Sequence, residues 1–132
     1  MNKPIINFMR YSIEEYIYKK IDSKDSKREE KSTSPEDNFS IGVTPAMTSD
    51  FKHGKITVSI RYDLEPHNIK LSVSGYFELN EDYSEEEVER ALVVNGTAIV
   101  FPYIRSMISM LSSLDSESAI ILPTINTNNL LN

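Results

Sequence analysis

Alternation of apolar and polar residues is strongest in the middle of the chain. In "KITVSIRYDL", Ile56, Val58, Ile60, Tyr62 and Leu64 take every second position, and Lys55, Thr57, Ser59, Arg61 and Asp63 fill the gaps. A period of two puts all the apolar side chains on one face of a strand, as a sheet with one covered side requires. After the turn-rich link "EPHN" the pattern resumes in "IKLSVSGYFEL". There Ile69, Leu71, Val73, Gly75, Phe77 and Leu79 alternate with Lys70, Ser72, Ser74, Tyr76 and Glu78. Two alternating strands joined by a short link predict an antiparallel hairpin, apolar on one face and polar on the other. Two more strands precede it. "NFSIGV" alternates Phe39, Ile41 and Val43, and "INFMRYSIEEYIYK" is β-branched and aromatic but slips in phase at Glu14 and Glu15, which predicts a bulge.

Beyond this sheet the period changes. "SEEEVERALVV" opens with Ser84 and places Glu87 three positions later, a capping-box pattern for a helix start. Glu85, Glu86, Glu87 and Glu89 are donor types for a metal, but acidic residues also suit the positive end of a helix dipole, and a solvated first turn is the simpler reading. Asn95-Gly96 then predicts an interruption. From Val100 onward Ile104, Met107, Ile108, Leu111 and Leu114 recur at helical spacing, with Arg105, Ser106, Ser109, Ser112 and Ser113 on the other side. The serines either admit a closely approaching partner or simply face water. Pro102 is expected in or near the first turn of this second helix, where its missing N–H costs little. That helix would run from about Phe101 to Leu114. Phe101 and Tyr103 would anchor its start on the sheet, and Arg105 would pair with a carboxylate or with backbone carbonyls. "AIILPTIN" is a last short extended run ended by Pro123. The fold class expected is α+β, a four-stranded antiparallel sheet with a broken long helix packed on one face. Residues 1–132 form a single domain, with a mobile charged loop at 20–38, "KIDSKDSKREEKSTSPEDN", too poor in apolar residues to offset its ordering entropy.

Composition narrows the chemistry. A chain of 132 residues can bury a real core without staples, and with no cysteine it has no disulfide, thiolate or cysteine-zinc chemistry. The net charge of -6 disfavours nucleic acid and tolerates a basic or unfolded partner, or serves solubility alone. The N-terminal "MNKPIINFMRYSIEEY" meets charge within a few residues, unlike a signal peptide, and uninterrupted apolar runs stay short of the roughly 20 residues that span a bilayer. A cytoplasmic protein without membrane insertion is the expectation. His53 and His67 sit in turn-like contexts without a nucleophile or a ligand spacing beside them, and are expected at the surface. The four glycines form no phosphate-cradling loop. No catalytic residue, metal site or cofactor is expected. An antiparallel sheet with apolar surface beyond one small core points instead to self-association or to an apolar partner.

The run "AIVFPYIRSMISML", followed by "AIILPTINTNNLL", resembles the bacterial export chaperone family SecB. Ile99, Phe101, Pro102, Tyr103 and Arg105 match the family's run at the start of its long helix. Pro123, Asn126 and Leu130 match a second run if one residue is inserted after Pro123, and Gly75 to Phe77 resemble the end of its fourth strand. The resemblance covers most of the chain in element order. It implies an ATP-independent holdase that keeps non-native clients unfolded in apolar grooves and assembles as a dimer of dimers. By position, Ile41 and Val43 match groove residues of the family, and with Phe39 they form the implied client-binding set on the second strand. Met107 and Met110 on the helix, and Ile120 and Leu122 in the tail, complete that set. Methionine suits an adaptable surface, though it equally fills a helix–helix core. The implied oligomer interface is Tyr103, Ser106, Ser109, Met110 and Ser113.

The departures from the family concern its motor. Glu15 keeps one position of the acidic cluster that docks SecA in the family, whereas Lys19 and Lys70 occupy the other two, and the chain stops at Asn132, about where the family's last long helix begins. A standard export role is therefore the weaker expectation. A dedicated chaperone of an antitoxin, or an adaptor with one partner, is the alternative. A hot-dog-type enzyme also wraps a sheet around a helix, but it would need a carboxylate or similar group near the helix start, and "NGTAIVFPY" offers none.

Overall fold

The computed structural model describes residues 4–21, 38–115 and 119–131. Residues 22–37 of the expected mobile loop lie outside them. Strands β1 (Ile6–Lys20), β2 (Phe39–Met47), β3 (His53–Leu64) and β4 (His67–Leu79) form one antiparallel sheet in the order β1-β4-β3-β2. The β3–β4 hairpin turns through Glu65 and Pro66, joined by a cis peptide bond, so that Leu64 faces His67. The register pairs Val58 with Val73 and Ile60 with Leu71, which sets apolar side chains side by side on one face. On the opposite face the hydroxyls of Thr57 and Ser74 lie 2.8 Å apart, and those of Ser59 and Ser72 2.7 Å apart.

Strand β1 carries the bulge expected at Glu14 and Glu15, and a second one at Met9. Each bulge resets the alternation by one residue. The inward set is therefore Ile6, Phe8, Tyr11, Ile13, Tyr16 and Tyr18, opposite Leu79, Phe77, Gly75, Val73, Leu71 and Ile69.

The apolar face is covered by one long helix. Segment α1 (Glu85–Ala91) passes through a π turn (Leu92–Gly96) into α2 (Thr97–Asp115). Ser84 caps the start: the Glu87 backbone N–H donates to Ser84 Oγ at 3.2 Å, and the Glu87 carboxylate reaches back to accept from the Ser84 hydroxyl at 3.0 Å. The interruption expected at Asn95-Gly96 is thus a single π turn inside a continuous helix, not a gap between two. Pro102 correspondingly lies inside α2 and not in its first turn. It is exposed, as is Ala98 four residues earlier. On this exposed side of the helix water can serve the carbonyl that loses its N–H partner, which removes most of the reason to break the helix.

The sheet-facing stripe of the helix is Val88, Leu92, Gly96, Val100, Ile104, Ile108 and Ser112, all buried. Val100, Ile104 and Ile108 pack with Ile56, Val58, Ile60, Leu71, Val73 and Phe77, each 1% exposed or less. A fully buried side chain of this size stabilises by about 1.5–3 kcal/mol. Two glycines allow the close approach of helix and sheet: a Cβ at Gly75 would meet Val100 at 2.5 Å, and one at Gly96 would meet Ile56 at 3.1 Å. By length and composition Glu85–Asp115 passes for a membrane span, a property that a search for uninterrupted apolar runs misses, but half of its most apolar stretch is buried against the sheet. It is the core helix of this fold.

The tail folds back over α2 and ends in a short 3-10 helix (Thr127–Leu131). The Ile120 backbone N–H donates to the buried Ser112 hydroxyl at 2.8 Å, and Arg105 Nε donates to the Leu122 carbonyl at 3.2 Å. Arg105 therefore finds a backbone carbonyl, one of its two expected partners.

Candidate apolar binding surfaces

Two apolar surfaces remain uncovered among the described residues, and they lie at opposite sides of the sheet. The first is an open cleft of about 480 Å³ at the free side of β2. Val43 and Pro45 of β2, Val93 of the π turn, and Leu130 and Leu131 of the tail supply its apolar lining. Glu86, Glu89 and Arg90 of α1 stand at its rim. A second open cleft of about 360 Å³ adjoins it through Pro45 and Glu89, bounded by Met47, Phe51 and Glu85. Both owe their shape to the spacing of the elements: α1 is short and steep in charge, so its acidic turn overhangs the edge strand while Val88 and Ala91 hold it to the core. Ile41, Val43 and Met47 are half-buried on this inner side of β2, and Phe39 tilts against the Phe101 ring at 6.1 Å.

The second surface lies where α2 crosses β1. Tyr103 stacks on Tyr11 with ring centroids 4.4 Å apart and approaches Phe8 at 6.2 Å. Farther along, the Tyr16 hydroxyl donates to the Met107 carbonyl at 3.1 Å and the Tyr18 hydroxyl to Asp115 at 3.0 Å. These bonds fix α2 over β1 and leave Ile13, Met110 and Leu114 exposed beside it, Met110 at 67% and Leu114 at 80%. Asp115 also pairs with Lys20 at 2.8 Å, and Lys20 and Tyr18 together hold its carboxyl below the usual range. Burial, then the Asp115 bond, pushes the Tyr18 hydroxyl up to about 12.

Of the client-binding set, Val43 lines the first cleft, Phe39, Ile41 and Met107 are half-buried against the core, and Met110 is exposed on the second surface. Ile120 and Leu122 do not join either. They are 8% and 1% exposed, because the extended tail alternates and turns both side chains into the core while Ile121 faces out. Of the interface set, Tyr103, Ser106, Met110 and Ser113 are exposed and Ser109 is half-buried. In the helix-start motif Phe101 is core, Pro102 and Tyr103 are exposed, and Arg105 braces the tail; Pro123 is half-buried and Asn126 exposed. The sequence reading missed Pro45, Val93, Leu131 and the acidic rim. A proline within an otherwise strand-like run is the one local signal that could have marked β2 as an edge.

Other polar groups lie away from both surfaces. His53 is exposed, but His67 is not at the surface as expected: its ring packs edge-on against Tyr18 at 5.7 Å, with Nε2 3.9 Å from Asp115. Lys70, one of the two lysines that depart from the acidic cluster, is 3.1 Å from the Glu15 carboxylate on the outer sheet face. The hydroxyl of Ser74, then those of Ser12 and Tyr76, hold the Glu14 carboxyl below its usual range. Among the described residues, no three His, Asp or Glu side chains group closely enough to hold a metal ion.

No family model matches the chain. An uncharacterized protein of Methanocaldococcus jannaschii is 35% identical over 74 residues, which cover 54% of this chain and 47% of that protein. The match thus spans about half the length of that relative. Among solved structures, the Mycobacterium tuberculosis SecB-like chaperone in complex with a ChAD peptide from the HigA1 antitoxin superposes with a TM-score of 0.64. That match covers 91% of this chain and 90% of the neighbour, at 11% sequence identity. A Streptococcus agalactiae protein of unknown function superposes with a TM-score of 0.52 at 14% identity, over 90% of this chain and 97% of the other. The chain has the SecB-like fold: a four-stranded antiparallel sheet with one long helix on its apolar face.

Proposed function

We infer that this SecB-like chain is a chaperone that binds non-native polypeptide without ATP. The observation that carries the reading is the inner side of β2, where Ile41, Val43, Pro45 and Met47 stay half-buried beside an open cleft with no side chain of the described residues filling it. Apolar area of this kind, bordered by charge, is where a soluble fold accepts a partner. The buried polar side chains of the helix itself are the hydroxyls of Thr97 and Ser112, a lining that suits a binding protein better than an enzyme. Self-association is proposed through the second surface, with Tyr103, Met110 and Leu114 at its centre, so that the clefts at β2 point away from the assembly.

Two client ranges fit. A holdase linked to export would accept many unfolded chains. A dedicated chaperone would serve one antitoxin, and this second reading is favoured by the solved neighbour, which carries a peptide from an antitoxin. The test is an aggregation assay with an unfolded model protein, run without nucleotide beside a native mass measurement. Ile41→Asp together with Val43→Asp should abolish the delay of aggregation and leave the oligomer intact. A wild-type monomer that does not delay aggregation would refute the chaperone reading, and capture of one client in place of many would select the dedicated form.

A further inference from the structure

The last turn of α2 lacks the charge that its end calls for. The unpaired carbonyls at a helix C-terminus carry a partial negative charge, which basic residues in the last turn commonly answer. Here α2 has no basic residue in its last turn, and it ends on the carboxylate of Asp115. Side chain and dipole thus bring negative charge to one place, and the positive charge must come from elsewhere in the fold. Lys20, at the end of β1, brings one cation to Asp115 Oδ1 at 2.8 Å. Its side chain is 50% exposed, however, and an ion pair so open to water is worth little. A second group stands at the other oxygen. His67 opens β4 and lies directly opposite Lys20 in the β1–β4 register. Its side chain is only 14% exposed. Its Nε2 is buried, makes no hydrogen bond among the described residues and stands 3.9 Å from Asp115 Oδ2. The ring keeps that direction through its edge-on contact with Tyr18, whose hydroxyl donates to the same Oδ2. Among the described residues β1 turns Tyr18 and Lys20 toward the ring, α2 turns Asp115, and β3 sets the apolar Leu64 beside it, while Glu65 in the turn is exposed.

We propose that His67 is a proton-operated clip for the end of α2. With the ring neutral, Nε2 is a buried polar atom without a partner, which costs stability. A protonated ring puts a donor and a full positive charge there, and a shift of about 1 Å closes the gap to a charge-assisted hydrogen bond with Asp115. The carboxylate then has a cation on each oxygen, and the helix end gains the positive charge that its own last turn does not supply. Lys20 opposes the added charge through space, so the clip needs Asp115 ionised. The Lys20 bond first, then the Tyr18 bond, hold that carboxyl below its usual range. The contribution is present in mild acid and is lost as the pH rises through the range where imidazole gives up its proton. It is lost again in stronger acid, where Asp115 takes up its own. Met110 and Leu114 ride on the clipped turns, so one proton sets how firmly that exposed side of α2 is held.

The test compares urea midpoints of the full chain and of His67→Gln from about pH 8 to about pH 5, at one protein concentration. His53→Gln is the control for the exposed histidine. The wild type should gain on His67→Gln as the pH falls, His53→Gln should follow the wild type, and the gain should vanish when Asp115→Asn is added to both chains of the pair. A gap that stays constant with pH would make His67 a packed ring only and overturn the clip. A gap that widens as much in the Asp115→Asn pair would remove Asp115 as the partner and overturn it as well. Amide exchange of the wild type, corrected for the intrinsic pH dependence of exchange, needs no variant. Protection from Ser112 to Asp115 should rise at least about threefold over the same interval relative to the β3 amides. Protection that moves in step with β3 would overturn the proposal.

Discussion

Gly75→Ala tests how closely the helix is bound to the sheet. Gly75 lies on the inner face of β4, and a methyl there would sit 2.5 Å from Val100 Cγ2 and 3.3 Å from the Phe77 ring. Carbon atoms in contact prefer about 3.5–4.0 Å, so Val100 must retreat by roughly 1 Å. Val100 is fully buried on the covered stripe, with no open space to enter, and α2 must shift with it. Overpacking of this kind costs about 1–3 kcal/mol. Replacing glycine in the unfolded chain returns about 0.4–1 kcal/mol. A net loss of about 1–2 kcal/mol remains. With a urea m-value of about 2 kcal/mol/M, the midpoint should fall by roughly 0.5–1 M. Unfolding is followed by far-ultraviolet circular dichroism at one fixed protein concentration, because self-association would couple to stability. Val100→Ala destabilises by itself, but in the double variant the added methyl fills the space it leaves. The cycle should show a favourable coupling of about 1–2 kcal/mol. A Gly75→Ala protein as stable as the parent, or a cycle without coupling, would refute the packing argument.

Ser112→Ala leaves the Ile120 N–H without its acceptor and should cost about 1–3 kcal/mol, with faster amide exchange at Ile120 and faster proteolysis of the tail while the sheet amides keep their protection. Met110→Asp with Leu114→Asp, both on the exposed side of α2, should reduce the native mass to that of a smaller assembly without altering the thermal transition of the fold by more than the linkage requires; an unchanged mass would place the contact elsewhere. The Tyr18 hydroxyl, pushed up to about 12 from an ordinary value of 10.0, contributes stability that is fully present below pH 10 and lost as the pH rises through about 12. Difference absorbance between wild type and Tyr18→Phe should show this late ionisation, and Asp115→Asn should bring it earlier. The Asp115 carboxyl works in the opposite direction: its value is held below 3.8, so its contribution is present above pH 3.8 and fades as the pH falls through the lowered value, and Lys20→Gln should raise that value in a carbon-13 titration.

β3 and β4 were legible residue by residue because each has one wet and one covered face, and the covering layer does not disturb a period of two. β1 was legible only to its second bulge. The slip at Glu14 falls within the charged pair Glu14-Glu15 and shows in the sequence, whereas Met9 follows the apolar Phe8 and hides its own phase shift. Pro102 was misplaced because its cost was judged as if its surroundings were dry; solvent beside Ala98 is a tertiary fact. Ile120 and Leu122 looked like surface because an extended tail carries no period long enough to show which side is covered. Only the long-range bonds to Ser112 and Arg105 fix it. His67 is drawn inward by Tyr18 and Asp115, residues 49 and 48 positions away by subtraction of their numbers. The candidate cleft was legible on its β2 side alone, since its opposite wall comes from α1 and the tail.

The π turn has a consequence for phase. Buried helix positions recur here at every fourth residue from Val88 to Ser112, but an α-helix turns about 100° per residue, so each step of four overshoots a full turn by about 40°. Uncorrected, a stripe of that spacing would wind around the helix and leave the sheet before its end. Leu92–Gly96 widen the helix to a larger number of residues per turn and take back part of the accumulated rotation where Gly96 meets Ile56. The turn acts as a vernier between two helical segments. Removing one residue from it, with the helix otherwise kept regular, would rotate everything downstream by about 100° and put Phe101, Arg105 and Ser109 in the inward places of Val100, Ile104 and Ile108. A single-residue deletion at Asn95 would therefore set an arginine and a serine against the sheet where two isoleucines now lie.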